Sequence, residues 1–180
     1  IDGLIVVSTG HDATLATQLA GLSIPTVLVD REIDIAEQQP CDLVETAHMQ
    51  GGLLATRHLL SLGHRRIAYF GVSNAMLFSA ERKRGYQMSL LKHGITPREE
   101  DCVEVNTLND AYEEPLKALL TAPDHPTAML VSDDILAVVL EQFCGKLGLR
   151  VPKDLSIVSF NNSLFSRITS PQLTTVDVNP

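Results

Sequence analysis

At 180 residues, with 44 % hydrophobic and 20 % charged side chains, the chain has enough apolar surface for one or two cored domains, which sets it apart from disordered and fibrous sequences. Its 14 basic and 22 acidic residues leave a formal charge of −8, a poor surface by itself for nucleic-acid phosphates. Cys41, Cys102 and Cys144 are odd in number and show no CxxC spacing, which points to reduced thiols rather than a disulfide or metal framework. No apolar run has the length of a membrane span, and no basic leader precedes the first apolar stretch. Both ends fall inside strand-like runs, Ile1–Val7 and Leu173–Val178, so the chain reads as a piece of a longer protein.

Leu4–Val7 and Thr26–Val29 are short β-branched runs that predict strands. Between them, residues 12–21 carry Leu15 and Leu19 at helical spacing, continued by Leu22, with Asp12 as N-cap. Residues 31–41 read as a loop and Asp42–Glu45 as a strand. Residues 48–62 read as a helix with Met49, Leu53, Leu54, Leu59 and Leu60 inward. Gly63 suits the left-handed position that ends helices, and His64, Arg65 and Arg66 suit the negative helix end. The second half repeats the rhythm. Strands are expected at Ile67–Phe70, Val103–Val105, Ala128–Val131, Leu155–Phe160 and Leu173–Val178. Helices are expected over 79–94, 109–121 and 133–147. In the last of these, Leu136, Val139, Leu140, Phe143 and Leu147 form one stripe.

Strands alternating with helices predict parallel sheets covered on both faces. Such sheets bind ligands outside the carboxyl ends of their strands. The segments to inspect are therefore Ser8-Thr9, Asp30-Arg31, Thr46–Gln50, Gly71–Arg82, Ser132–Asp134 and Phe160–Asn162. Arg82 opens a helix and can donate a planar fork to hydroxyls or a carboxylate, or else is a solvated base beside Glu81. Of Asp133 and Asp134, one caps the helix and the other is free to accept from a ligand hydroxyl. Asn161 and Asn162 offer donors and acceptors suited to sugars and nucleobases, or simply make an Asx turn. His48, His58, His64 and His93 lack metal-ligand spacing and suit surface or capping roles. His11-Asp12 has no nucleophile beside it. There is no GxGxxG and no Walker loop. Gly51-Gly52 suits close packing of helix on sheet. These residues describe a binding module without cofactor or metal, and nothing in them demands an enzyme.

The run Ala55–Ala68 resembles the helix–strand signature of the lactose-repressor (LacI/GalR) family. The resemblance continues through Arg82–Tyr86, Pro126–Asp134, Gly148–Val158 and Pro171–Val176, in the family's order and over nearly the whole chain. Ser159–Asn162 and Thr174–Asn179 are most similar to the maltose-operon repressor branch. The resemblance implies a periplasmic-binding-protein-like α/β fold, with two doubly wound parallel-sheet lobes around an interlobe cleft. It implies residues 1–62 as a partial N-terminal lobe, 63–172 as the C-terminal lobe and 173–180 as a strand crossing back, with Gly63 at the first crossing. Effector contacts would fall on Arg82, on Asp133 with Asp134 as its neighbour and cap, on Asn161, and on Gln50 and Ser8 from the first lobe. The family often has a carboxylate where Asn161 stands, and the neutral amide favours a neutral sugar. An aromatic that some members place near Thr107 is missing, leaving Phe78 and Phe165 as candidates for sugar stacking.

The function so implied is a cytoplasmic, sugar-responsive transcriptional regulator, most simply a repressor. It would bind a mono- or disaccharide, work as a homodimer without a membrane, and read operator DNA through a helix-turn-helix outside this sequence. Ile135, Val138, Gln142 and the segment 164–169, with Thr169, are the candidate dimer contacts, unless Ile135 and Val138 are core. The alternative is a periplasmic sugar-binding receptor for transport, which shares the fold. A third reading, an enzyme on the same fold, predicts turnover that depends on Arg82, Asp133 and Asn161.

Overall fold

A computed structural model describes residues 2–7, 18–19, 22, 24–30, 41–73, 77–106 and 111–178. Ser8, Thr107 and most of the helix expected over 12–21 lie outside the described residues. Strands β1 (Leu4–Val7), β2 (Thr26–Val29) and β3 (Asp42–Val44) form a parallel sheet in that order. A second parallel sheet holds β4 (Ile67–Val72), β5 (Cys102–Val105), β6 (Ala128–Val131), β7 (Ser156–Phe160) and β8 (Thr174–Val176), in the order β5-β4-β6-β7-β8. The helices are α1 (His48–Ser61), α2 (Leu77–Lys92), α3 (Glu113–Leu120), α4 (Asp134–Lys146) and the short α5 (Leu164–Ile168). From β3 onward the expected alternation is present, and both sheets are parallel. The segment 164–169, expected only as a contact surface, contains α5.

The second sheet has a core on each face. On one side Phe70, Met129, Val131 and Ile157 meet Leu116, Leu120, Leu136, Leu140 and Phe143 from α3 and α4. On the other, Tyr69, Leu130, Val158 and Phe160 meet Ala55, Leu59 and Leu60 of α1 and Tyr86 and Leu90 of α2. Strands buried on both faces need continuous apolar runs, and Ala128–Val131 is such a run. Gly63 has φ 96°, and the His64 N–H donates to the Leu59 carbonyl at 3.3 Å, the left-handed helix ending read from the sequence.

Two expectations are corrected here. The division at residue 62 gives the helix 48–62 to the first lobe, but α1 packs on the second sheet and against α2. The crossing therefore lies before α1, at residues 45–47, and not at Gly63. Likewise β8 does not return to the first sheet; it pairs with β7 through Val158–Thr174, Ser159–Thr175 and Phe160–Val176. Leu54, expected inward, is 50 % exposed, because α1 turns Gly52, Ala55, Thr56, Leu59 and Leu60 to the core.

Helices α1 and α2 touch backbone to backbone. A Cβ on Gly52 would lie 2.2 Å from the Arg82 carbonyl oxygen, and one on Gly85 2.2 Å from that of Met49. Gly51 instead faces the Phe160 ring. Of the glycine pair, only Gly51 meets the sheet as expected; Gly52 serves helix–helix contact.

Candidate functional site

In the second sheet the chain runs outward from β4 to β5 in one direction and through β6 to β7 in the other. The switch point between β4 and β6 opens a crevice at their carboxyl ends. Helix α2 starts above that crevice. The Tyr69 hydroxyl donates to the Ser79 carbonyl at 2.9 Å, and the Ser79 hydroxyl donates to the Val72 carbonyl at 2.6 Å. These bonds, with the Gly52–Gly85 contact, fix the first turns of α2 and point Arg82 into the crevice.

Arg82 is 2 % exposed. Its Nη1 donates to the Ser132 carbonyl at 2.5 Å, and its Nη2 donates to Asn161 Oδ1 at 3.2 Å and meets His48 Nδ1 at 3.3 Å. The guanidinium carbon stands 4.3 Å from the Phe160 ring centre and 4.9 Å from that of Phe78, so two aromatic rings flank the cation. Burial lowers the Arg82 pKa to about 10, against the raising influence of Tyr69, Asp133, Asp30 and Asp134. Arginine stays cationic at neutral pH even so. The solvated base paired with Glu81 is not what the structure shows; Glu81 pairs with Arg84 at 3.7 Å. Among the described residues, Arg82 Nε and His48 Nε2 are buried nitrogens with no hydrogen-bond partner.

The helix cap, expected on Asp134, falls on Asp133. Asp133 is the N-cap of α4, accepting from the Leu136 N–H at 2.9 Å through Oδ1, while its Oδ2 accepts from the Ser132 hydroxyl at 3.3 Å. Asp134 is 1 % exposed and accepts from the Ser159 and Thr175 hydroxyls and from the N–H and hydroxyl of Ser163. It is a structural tie between α4, β7 and β8. Asp133 keeps the freer carboxylate edge beside Arg82. Asn161 and Asn162 lie in the left-handed region at φ 101° and 47°, the turn that brings Asn161 Oδ1 back over Arg82.

The first sheet reaches the same place through Asp30, which follows β2. Its carboxylate accepts from the Thr46 N–H at 2.5 Å and the Thr46 hydroxyl at 2.9 Å. That clamps the crossing to α1. A cleft of about 380 Å³ opens here, lined by Asp30, Glu45, Thr46, Ala47, His48, Met49, Gln50 and Glu81. Gln50 is exposed on its wall. Arg82, Asp133, Asn161 and Phe78 thus converge, and Gln50 lines the adjoining cleft. Phe165 sits on α5, exposed, with no contact to Arg82 among those described.

Two participants escape the sequence reading. His48, read as a surface or capping residue, has a side chain only 12 % exposed. Phe160, read as the end of a strand, is the nearer of the two rings on Arg82. A histidine two residues after Thr46 was legible as a position beyond a strand end; its burial was not.

Ile135 is 44 % exposed and therefore is not core. With the half-buried Val138 and exposed Gln142 it marks the outer face of α4, which packs against α5 with its exposed Leu164 and Ile168 and the adjoining half-buried Thr169. No group of His, Cys, Asp and Glu among the described residues could hold a metal ion, and no described helix is long and apolar enough to cross a membrane.

Parallel α/β layers with polar groups gathered at strand ends between them define the periplasmic-binding-protein-like class. The family model of the periplasmic binding protein-like domain matches residues 56–180. The transcriptional regulator DegA of Bacillus subtilis is 30 % identical over 98 % of this chain and 52 % of its own length. A LacI transcriptional regulator from Bacillus cereus subsp. cytotoxis superposes with TM-score 0.85 at 30 % identity, over 99 % of this chain and 63 % of that one. A complex of the regulator CelR with cellobiose gives TM-score 0.85 at 28 % identity, over 98 % and 54 %. The chain belongs to the periplasmic-binding-protein-like family, and it is similar in sequence and fold to LacI-type transcriptional regulators. It spans about half the length of the curated relatives it matches.

Proposed function

We propose that the chain is the sugar-sensing core of a cytoplasmic transcriptional repressor that acts as a homodimer on operator DNA. The DNA would be read by a helix-turn-helix outside this sequence. The observation that carries the reading is the convergence of Arg82, Asp133 and Asn161 at the switch point, with Arg82 Nε and His48 Nε2 buried and unpartnered beside the cleft. Buried donors are satisfied in nearly all proteins, so two together mark where a ligand's acceptors belong. Asp30, Glu45 and Glu81 line the cleft and disfavour an anion; neutral hydroxyls suit both the carboxylates and the donors.

Ser159–Asn162 and Thr174–Asn179 favour the maltose-operon branch, and the CelR relative is a complex with cellobiose. A disaccharide is therefore the first ligand to try. Closure of the two sheets around it would bias the spacing of paired DNA-binding segments, through its different affinities for two arrangements. A receptor for transport fits less well, because the relatives are named transcriptional regulators. For the same reason we favour no turnover.

Calorimetry with maltose, cellobiose and monosaccharides tests the site. One neutral sugar binds, and Arg82→Ala weakens it by at least about tenfold, the loss expected when a charged hydrogen bond worth about 1.5–3 kcal/mol is removed. Unchanged affinity in that variant removes Arg82 from the site. Sedimentation tests the dimer: Ile168→Glu, on the exposed face of α5, converts dimer to monomer, and a wild-type monomer at high concentration refutes the assembly.

A further inference from the structure

His48 stands in the first turn of α1, at the wall of the cleft. Its neighbours ask for different things depending on its charge. Arg82 Nη2, 3.3 Å from Nδ1, is always a donor, so Nδ1 there is the acceptor. A neutral imidazole that accepts at Nδ1 carries its proton on Nε2. Nε2 in turn lies 3.6 Å from Asp30 Oδ1, close enough for charge attraction but not hydrogen-bonded. The charged groups around the ring are Arg82 and Glu81 on α2 and Asp30 beyond β2; the uncharged Phe78 ring stands 5.9 Å away.

A protonated imidazole has two donors and no acceptor. It cannot keep its bond to Arg82, repels the guanidinium, and is drawn to Asp30. Asp30 already holds Thr46, where the chain crosses between sheets. We propose that His48 is a proton-sensitive positioning residue: neutral, it steadies Arg82 against Ser132 and Asn161; protonated, it releases Arg82 and pairs with Asp30 at the crossing. Its effect on ligand binding rests on the reading of Arg82 as a ligand contact; its effect on Arg82 does not. Burial first, and then Arg82, hold the His48 pKa below the ordinary histidine value, with Asp30 and Glu81 pulling the other way. The neutral form is therefore the resident one at neutral pH, and release belongs to the acid side.

Nitrogen-detected NMR of the 180-residue chain without ligand decides the matter. At pH 7.5 the His48 ring shows a bare Nδ1 and a protonated Nε2. Its titration midpoint rises in Arg82→Met, which removes a repelling cation, and falls in Asp30→Asn. A ring protonated on Nδ1 at pH 7.5 overturns the proposal, and so does a midpoint indifferent to Arg82→Met. The wild-type tautomer needs no substitution, so it stands as a test even if a variant fails to fold. Calorimetry with maltose and cellobiose at pH 7.5 and pH 5.5 adds the functional arm. Wild-type affinity falls in acid, by up to about tenfold per pH unit for one linked proton. His48→Gln keeps an acceptor for Arg82 without titrating; whatever its affinity at pH 7.5, that affinity falls less between pH 7.5 and pH 5.5 than the wild type's. An equal fall in both proteins overturns the link to binding. The expected tautomer with neither sugar bound supports His48 as the partner of Arg82 and counts against the sugar reading.

Discussion

Replacing Asp134 by alanine should destabilise this chain more than replacing Asp133, although the two are neighbours at one helix end. Four donors converge on Asp134: Ser159 Oγ at 2.5 Å, Thr175 Oγ1 at 2.9 Å, and Ser163 N and Oγ at 2.7 Å each. The Thr175 and Ser163 hydroxyls are only half-buried and can turn to water. The Ser163 N–H is fixed by the backbone, and Ser159 is fully buried. Each donor so stranded costs about 1–3 kcal/mol, while removing a buried carboxylate returns part of its own desolvation energy. The net loss is about 3 kcal/mol, or roughly 6–12 °C in Tm for a chain of this size. Asp133→Ala removes one cap bond and the longer 3.3 Å bond from the buried Ser132 hydroxyl, together worth about 1–2 kcal/mol and roughly 2–8 °C. Calorimetric melting of the two variants side by side measures the difference. Equal losses would refute the assignment of Asp133 as cap and Asp134 as tie.

Gly85→Ala must push α2 off α1, since its Cβ would meet the Met49 carbonyl oxygen at 2.2 Å and the Leu53 nitrogen at 2.8 Å, both backbone atoms. A loss of about 3 kcal/mol or more is expected, and denaturant melting that shows under about 1 kcal/mol contradicts the close contact. His48 and His64 both have pKa values lowered by burial, so the unfolded chain takes up protons before the folded one. Stability therefore falls as pH drops below the ordinary histidine value, about 6.5, and levels off below the folded-state values. His48→Gln should lessen the fall in Tm between pH 7.5 and pH 5.5; a larger fall in that variant reverses the sign of the argument.

The strands were legible because buried parallel strands are unbroken apolar runs with little else to resemble. Ala128–Val131 needed only its composition and the proline before it. Arg82 and Asn161 were legible through a resemblance and through their places beyond strand ends. What the sequence hid was which surface each helix chooses. The apolar pattern of residues 48–62 fits either sheet, and only the glycine contact with α2 decides it. The aspartate pair was ambiguous for a related reason. Both can cap a helix, and the choice rests on Ser159, Ser163 and Thr175, at least 25 residues away in sequence. His48 was misread because burial of a polar ring is a property of the whole cleft.

The contact between Gly52 and Gly85 also bears on how this sequence can drift. Each glycine faces the other helix's backbone, not a side chain that could shrink in exchange. Neither position has a smaller residue left to offer. A compensating pair of substitutions therefore does not exist at this spot, while Leu54 and Leu62 nearby stand in solvent and are free to change. Among descendants that keep Arg82 in its crevice, these two glycines should vary least, ahead even of residues that would touch a ligand. A new ligand can be met with new side chains; a helix crossing this close has no second solution.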